Sequence, residues 1–236
     1  LSCLLANLSL FEEKRYQTSV LQTFSPFSSS QYLGVKFALL KILLFISITP
    51  SFMHFYLLES ISSDSLEIGV FLNQFLLLWL YILVISALAL FLSASNKSLV
   101  VGLLLSLLCG FSLFYGFEFL GNQISNNRFS NFIASLGGFY IFEKGSLGIL
   151  NLSHCLYFLG LIFFFLGLYH KKQYPFSSSN LWIYAGPVLV FLSFLFSNQL
   201  RFDLTENRRY TITDLELAQD LFEEEIEVMV YLEGNL

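Results

Sequence analysis

Five apolar stretches, each long enough to cross a bilayer, lie between Phe37 and Asn198. They run approximately over Phe37 to Leu58, Val70 to Leu92, Ser98 to Phe117, Leu150 to Tyr169 and Leu181 to Asn198, and Leu1 to Phe11 reads as the last part of a sixth. A helix of roughly 20 such residues, at about 1.5 Å rise each, spans the roughly 30 Å hydrocarbon layer. The pattern predicts an all-α polytopic membrane protein of about six transmembrane helices. Beyond Arg201 the pattern changes: Ile226 to Leu232 alternates as a strand does and stops at the turn signal Glu233-Gly234-Asn235. That segment predicts the start of an α/β domain, cut off soon after it begins. At the other end no initiator Met is present and Leu1 lies inside an apolar run, so helices upstream are expected to be missing.

Hydrophobic residues make up 56% of the chain and charged ones 12%, a ratio that a single soluble core could not hide. Phe alone occurs 28 times, often in mid-span runs such as Phe163-Phe164-Phe165, where a side chain facing lipid needs no partner. Cys3, Cys109 and Cys155 all lie in apolar runs, and their odd number and spacing give no disulfide framework. They read as small packing residues.

Charge sets the orientation. With the connector between Phe11 and Lys36 in the cytoplasm, Lys14, Arg15, Lys36, Lys41, Lys97, Lys171 and Lys172 all fall inside, seven of the twelve basic residues, while the first outer loop holds Glu59, Asp64 and Glu67 and no base. This is the positive-inside pattern, strongest in short loops. The last span then leaves Arg201 to Leu236 outside, with ten acids and three bases. Lys41 lies about one turn inside its span and reads as a snorkelling residue. Trp182, Tyr184, Tyr169 and Tyr174 flank spans at interfacial depth.

Polar residues near the spans are few. Asn73, Gln74, His54, Glu118, Asn151, Ser153 and His154 all sit near predicted outer ends, where water competes for them. Gly102, Ser106 and Gly110 recur at intervals of four and place small residues on one helical face. Either another helix approaches closely along that stripe, or the stripe only reflects how common Gly and Ser are in membrane helices. Pro50 and Pro187 interrupt the hydrogen-bond ladders of their spans and are expected to kink or open them. The segment from Gly121 to Ile149 joins a polar start to an apolar stretch, Phe132 to Phe142, too short to span. It fits a re-entrant or interfacial helix, with Gly137-Gly138 at a helix-turn-helix tip.

No chain of carboxylates crosses the membrane, His54, His154 and His170 have no second ligand at metal-site spacing, and no Gly-x-x-x-x-Gly-Lys-Ser/Thr phosphate loop is present. No metal site, no bound cofactor and no catalytic constellation are expected, and nucleic acid is not an expected partner.

Tyr16, Val20 and Phe24, at intervals of four after the charges of Glu12 to Arg15, predict a short amphipathic helix ended by Ser25-Pro26. From the pattern alone it is equally a cushion for the bundle or a docking element. Glu12, Glu13, Arg15, Thr18, Leu21, Pro26, Gly34, Lys36 and Phe37 make this stretch resemble the permease subunits of type-2 ABC exporters, with Gln17 and Val20 departing from the usual residues. The resemblance implies that residues 12–26 are the coupling helix on which a separate ATPase subunit docks, with Glu12, Glu13, Arg15, Thr18 and Leu21 in the contact. ATP and Mg would then be bound by that partner, and a second permease copy would complete a dimer. The loop at 121–149 is similar to the outer re-entrant hairpin of that family.

Ser86 to Asn96, Phe114-Tyr115-Gly116-Phe117 and the segment around Phe142 to Phe158 narrow the resemblance to the gliding-motility-associated permease of Bacteroidetes-type bacteria, over residues 1–172. The remainder of the chain resembles the start of that transporter's auxiliary subunit, through Arg201-Phe202-Asp203-Leu204-Thr205-Glu206 and Arg209-Tyr210-Thr211. The implied organisation is a permease transmembrane domain at 1–172, a Ser-rich linker at 173–180, one helix at 181–198 and the start of an extracytoplasmic domain at 199–236. The implied location is the bacterial inner membrane, multi-pass, with the C-terminal tail extracytoplasmic. The competing expectation, from another class, is a non-transporting scaffold that anchors gliding or secretion machinery.

Overall fold

The computed structural model of the protein describes residues 2–15, 28–61, 67–96, 98–124, 127–173, 181–195 and 201–204. Ten helices and a two-stranded ladder occur among them. The helices are α1 (Ser2–Arg15), α2 (Ser29–Ile48), α3 (Pro50–Ile61), α4 (Ile68–Ser95), α5 (Leu99–Phe111), α6 (Phe117–Asn122), α7 (Asn127–Ala134), α8 (Gly138–Ser146), α9 (Leu152–Gln173) and α10 (Leu181–Leu195). Strand β1 (Ile149–Asn151) pairs antiparallel with β2 (Arg201–Asp203), with Leu150 opposite Phe202.

Four helical stretches are long and apolar enough to cross a membrane: Gln31–Leu57, Ile68–Ser95, Leu99–Asn122 and Leu152–Gln173. The chain is an all-α membrane protein. Of the six spans expected from the sequence, the other two are shorter among the described residues. Helix α1 has 14 residues, and α10 has 15, which at about 1.5 Å each reaches only about 22 Å. The fourth span begins at Leu152, not at Leu150, because Gly148 adopts a left-handed φ of 79° and turns the chain into β1. Such a φ suits glycine, which has no Cβ to collide with the following carbonyl. The expected strand at Ile226 to Leu232 and the helix at 16–24 lie outside the described residues.

Helix α4 is the centre. Every residue from Leu83 to Leu90 is buried, and α1, α2, α5, α8 and α9 all pack on it. A helix apolar all round belongs inside a bundle or in lipid, and here one stretch of α4 is enclosed by its neighbours. Helix α5 has two distinct faces. Val100, Leu104, Leu108 and Phe111 point outward and are all more than half exposed, while Gly102, Ser106 and Gly110 are buried. An outward apolar stripe of that length suits a bilayer and not water.

Helices α9 and α10 form an antiparallel pair that meets nearly backbone to backbone. A Cβ on Gly160 would stand 2.9 Å from the Gly186 carbonyl oxygen and from the Val190 nitrogen, one on Gly167 2.6 Å from the Ile183 nitrogen, and one on Gly186 2.6 Å from the Phe164 nitrogen. Phe163 and Trp182 meet at one end of the pair, with tilted rings whose centroids are 5.3 Å apart. The β1–β2 ladder closes the other end, and the carbonyl of Leu204, just past β2, abuts Gly69 at the start of α4.

Gly167→Ala is expected to separate α9 from α10, because the obstacle is the rigid backbone of Ile183 and not a flexible side chain. Overpacking of this kind costs about 1–3 kcal/mol and should appear as a lower thermal unfolding midpoint in detergent. Gly34→Ala on α2 is the contrasting case. Nothing lies within 4 Å of the position a Cβ would take, and alanine is the better helix former, so the midpoint should hold or rise.

Candidate functional site

At the end predicted to be cytoplasmic, α2 is started by its own sequence. Ser28 accepts a hydrogen bond from the Gln31 backbone N–H at 3.3 Å, and Gln31 Oε1 accepts one from the Ser28 N–H at 2.9 Å. This reciprocal capping box sets the register of the first turns. Tyr32 and Lys36, four residues apart, then lie on the face turned to α1. Lys36 Nζ lies 2.7 Å from Glu13 Oε1, and the Tyr32 hydroxyl donates to the same oxygen at 2.9 Å. Both charged side chains are largely buried, 9% and 19% exposed. Glu13, expected to contact a partner, is thus engaged inside the chain as a tie between α1 and α2. Glu12 and Arg15 belong to the last turn of α1; Thr18 and Leu21 lie outside the described residues. Lys36 is buried, while Lys41 is half-buried and stands 5.8 Å from the Phe37 ring.

In the interior, Gly102, Ser106 and Gly110 face α1 and α4. Asn7 on α1, fully buried, donates through Nδ2 to the Ser106 hydroxyl at 3.3 Å and to the Cys3 carbonyl at 2.7 Å, and Ser106 donates to the Gly102 carbonyl at 2.6 Å. A Cβ on Gly102 would sit 2.7 Å from Asn7 Oδ1, and one on Gly110 2.9 Å from the Ile85 side chain. Sequence reasoning passed over Asn7, although an amide inside an apolar run was the available signal, since an intramembrane polar group needs a partner.

The prolines act differently. Pro50 opens α3 directly after Thr49, whose N–H and hydroxyl both donate to the Phe45 carbonyl, at 3.0 and 2.9 Å. Two helical segments result, inside one spanning stretch. Pro187 remains within α10, next to Gly186 at the close contact with α9.

At the end predicted to be outer, α5 passes through a π-helical turn (Ser112–Gly116) into α6. The Tyr81 hydroxyl donates to the Gly110 carbonyl at 2.7 Å, just ahead of that turn, and an inserted side chain of this kind is a usual companion of a local change in helix pitch. Helices α7 and α8 then form a helix-turn-helix with Gly137 and Gly138 at its turn, as the sequence anticipates. The hairpin is pinned on two sides. Asn73 of α4 donates to the Gly145 carbonyl at 2.9 Å, and Tyr157 of α9 donates to the Leu136 carbonyl at 2.7 Å. Phe114 and Phe142 close around Tyr81, with centroids 5.1 and 6.3 Å from its ring.

Between the hairpin, the first turn of α9 and the last turn of α10 lies a cavity of about 580 Å³. Asn73, Asn151 and Ser153, expected to meet water, are instead buried, while Gln74 and His54 are exposed. Among the described residues no group of three or more His, Cys, Asp or Glu side chains is placed to hold a metal ion.

The Glu13–Lys36 tie has a measurable weight. Removing one member of a buried pair strands the other charge and costs about 3–5 kcal/mol. Glu13→Ala alone should therefore lower the yield of folded protein and its unfolding midpoint, and Glu13→Gln/Lys36→Met should recover much of the loss. A double variant no better than Glu13→Ala would show that the pair is not the source.

Compared with family models, with curated proteins and with solved structures, the chain matches none.

Proposed function

We propose that this chain is the membrane-spanning permease component of an ATP-binding cassette exporter associated with bacterial gliding motility, joined to the start of its extracytoplasmic auxiliary subunit. The observation that carries the reading is the hairpin of α7 and α8. It is too short to span, precedes α9 in the chain and is tied to α4 by Asn73 and to α9 by Tyr157, and the resemblance implies an outer hairpin before the last permease helix. The buried tie of Glu13 to Lys36 at the foot of α1 and α2 adds support, since a helix pushed by an ATPase needs a firm connection to the bundle.

In this reading the protein lies in the inner membrane with six spans in all, residues 12–26 face the cytoplasm, and the tail from Arg201 lies outside. A second copy completes the transport path. A separate subunit binds ATP and Mg and hydrolyses the nucleotide, and this chain performs no catalysis. Its part is to convert the docking and release of that subunit into reorientation of α1 and α2, and through α4 of the outer hairpin.

The test is co-purification of the full chain with its candidate ATPase. Glu12→Ala/Arg15→Ala is the informative variant, because Glu13 also holds α2. The unaltered protein should retain the ATPase and the variant should lose most of it at equal yield and equal unfolding midpoint. Retention by neither, from a folded protein, would favour the scaffold reading.

A further inference from the structure

The cavity beside the hairpin has a composition that the transport reading does not use. Lys144 and His154 line it together with the hydroxyls of Ser153 and Ser193, and among the described residues no carboxylate does. Lys144 is exposed and stands 5.7 Å from the Tyr140 ring centre. The rest of the lining is largely apolar: Phe132, about half exposed, and Phe194 bring their rings to 5.4 Å from opposite helices, and Ile141, like Ser153 and Ser193, is buried.

Depth matters as much as composition. Ser153, His154 and Tyr157 belong to the first two turns of a helix of spanning length, so the cavity sits at the level where that helix leaves the hydrocarbon. A cavity at the interface that has an exposed lysine and a histidine on one side and aromatic rings on another matches an amphiphile with an anionic head and an apolar tail. Ammonium and imidazole groups recognise phosphate oxygens by charge-assisted hydrogen bonds, and basic pockets between membrane helices hold anionic lipid head groups in this manner.

We propose that this cavity binds one anionic phospholipid, its phosphate against Lys144 and His154 and an acyl chain against Phe132 and Phe194. The proposal rests on the chain being a membrane protein and not on the exporter reading. Because α7, α8, α9 and α10 all contribute residues, the bound lipid would join the hairpin to the α9–α10 pair.

The full chain, purified in a non-ionic detergent, is titrated with phosphatidylglycerol, phosphatidylcholine or inorganic phosphate, and followed by thermal unfolding and intact-complex mass spectrometry. Phosphatidylglycerol should raise the unfolding midpoint and remain bound through detergent stripping, whereas phosphatidylcholine and inorganic phosphate should do neither. Lys144→Gln/His154→Gln should weaken phosphatidylglycerol binding by about tenfold or more. Lys171→Gln/Lys172→Gln, exposed at the opposite end of α9, should leave it unchanged. If the double variant at the cavity does not fold, Lys144→Gln alone, at an exposed position, replaces it. Equal effects of the two lipids, unchanged binding by the cavity variant, or a full response to inorganic phosphate would each overturn the proposal, the last by pointing to a free-anion site.

Discussion

Helices in a bilayer gain little by leaving lipid for one another, because hydrocarbon is as apolar as leucine; what holds them together is how closely their surfaces can approach. Several junctions in this protein meet that condition through a missing Cβ. Gly102 admits Asn7, Gly110 admits Ile85, Gly145 admits Leu77, and Gly160, Gly167 and Gly186 let α9 and α10 touch along their backbones. The large apolar side chains, by contrast, largely point away: Leu39, Ile42 and Ile46 on α2 and Leu104 and Leu108 on α5 are all more than half exposed. The fold is organised by its smallest residues and solvated by its largest ones.

Polar groups then decide which of the possible close packings is adopted. Several of them bridge two elements: Glu13 and Lys36 join α1 to α2, Asn7 joins α1 to α5, Asn73 joins α4 to α8, and Tyr157 joins α9 to the turn of the hairpin. An apolar contact tolerates sliding by a turn, but a hydrogen bond in a medium without water does not. The two halves of the proposed mechanism, a moving foot and an outer hairpin, are thereby connected through α4, which borders both.

Much of this was legible in the sequence. Four of the expected spans could be read from length and hydropathy alone, the hairpin from an apolar segment too short to cross beside Gly137-Gly138, and the helix break from Pro50. What could not be read is which face of each helix meets which neighbour. A helix such as α4, apolar all round, carries no 3.6-residue signal, so the burial of Leu83 to Leu90 depends on partners far away in the chain. The same limit hid the inward turn of Lys36, which looked like one more positive-inside lysine, and the pairing of β1 with β2, whose three-residue strands lie fifty residues apart and read as span and tail. For the candidate site the sequence pointed to His154 but not to Lys144, nor to their meeting around one cavity.

The short ladder between Ile149–Asn151 and Arg201–Asp203 alters the meaning of the stretch at 174–180. With glycine packing along α9 and α10 and a strand pair fastening their far ends, the covalent link through that stretch is one of several connections between the chain up to Gln173 and the chain from Leu181. Severing it, by a protease or by splitting the reading frame there, would leave two polypeptides that still recognise each other, so continuity of the chain sets their one-to-one stoichiometry more than their attachment.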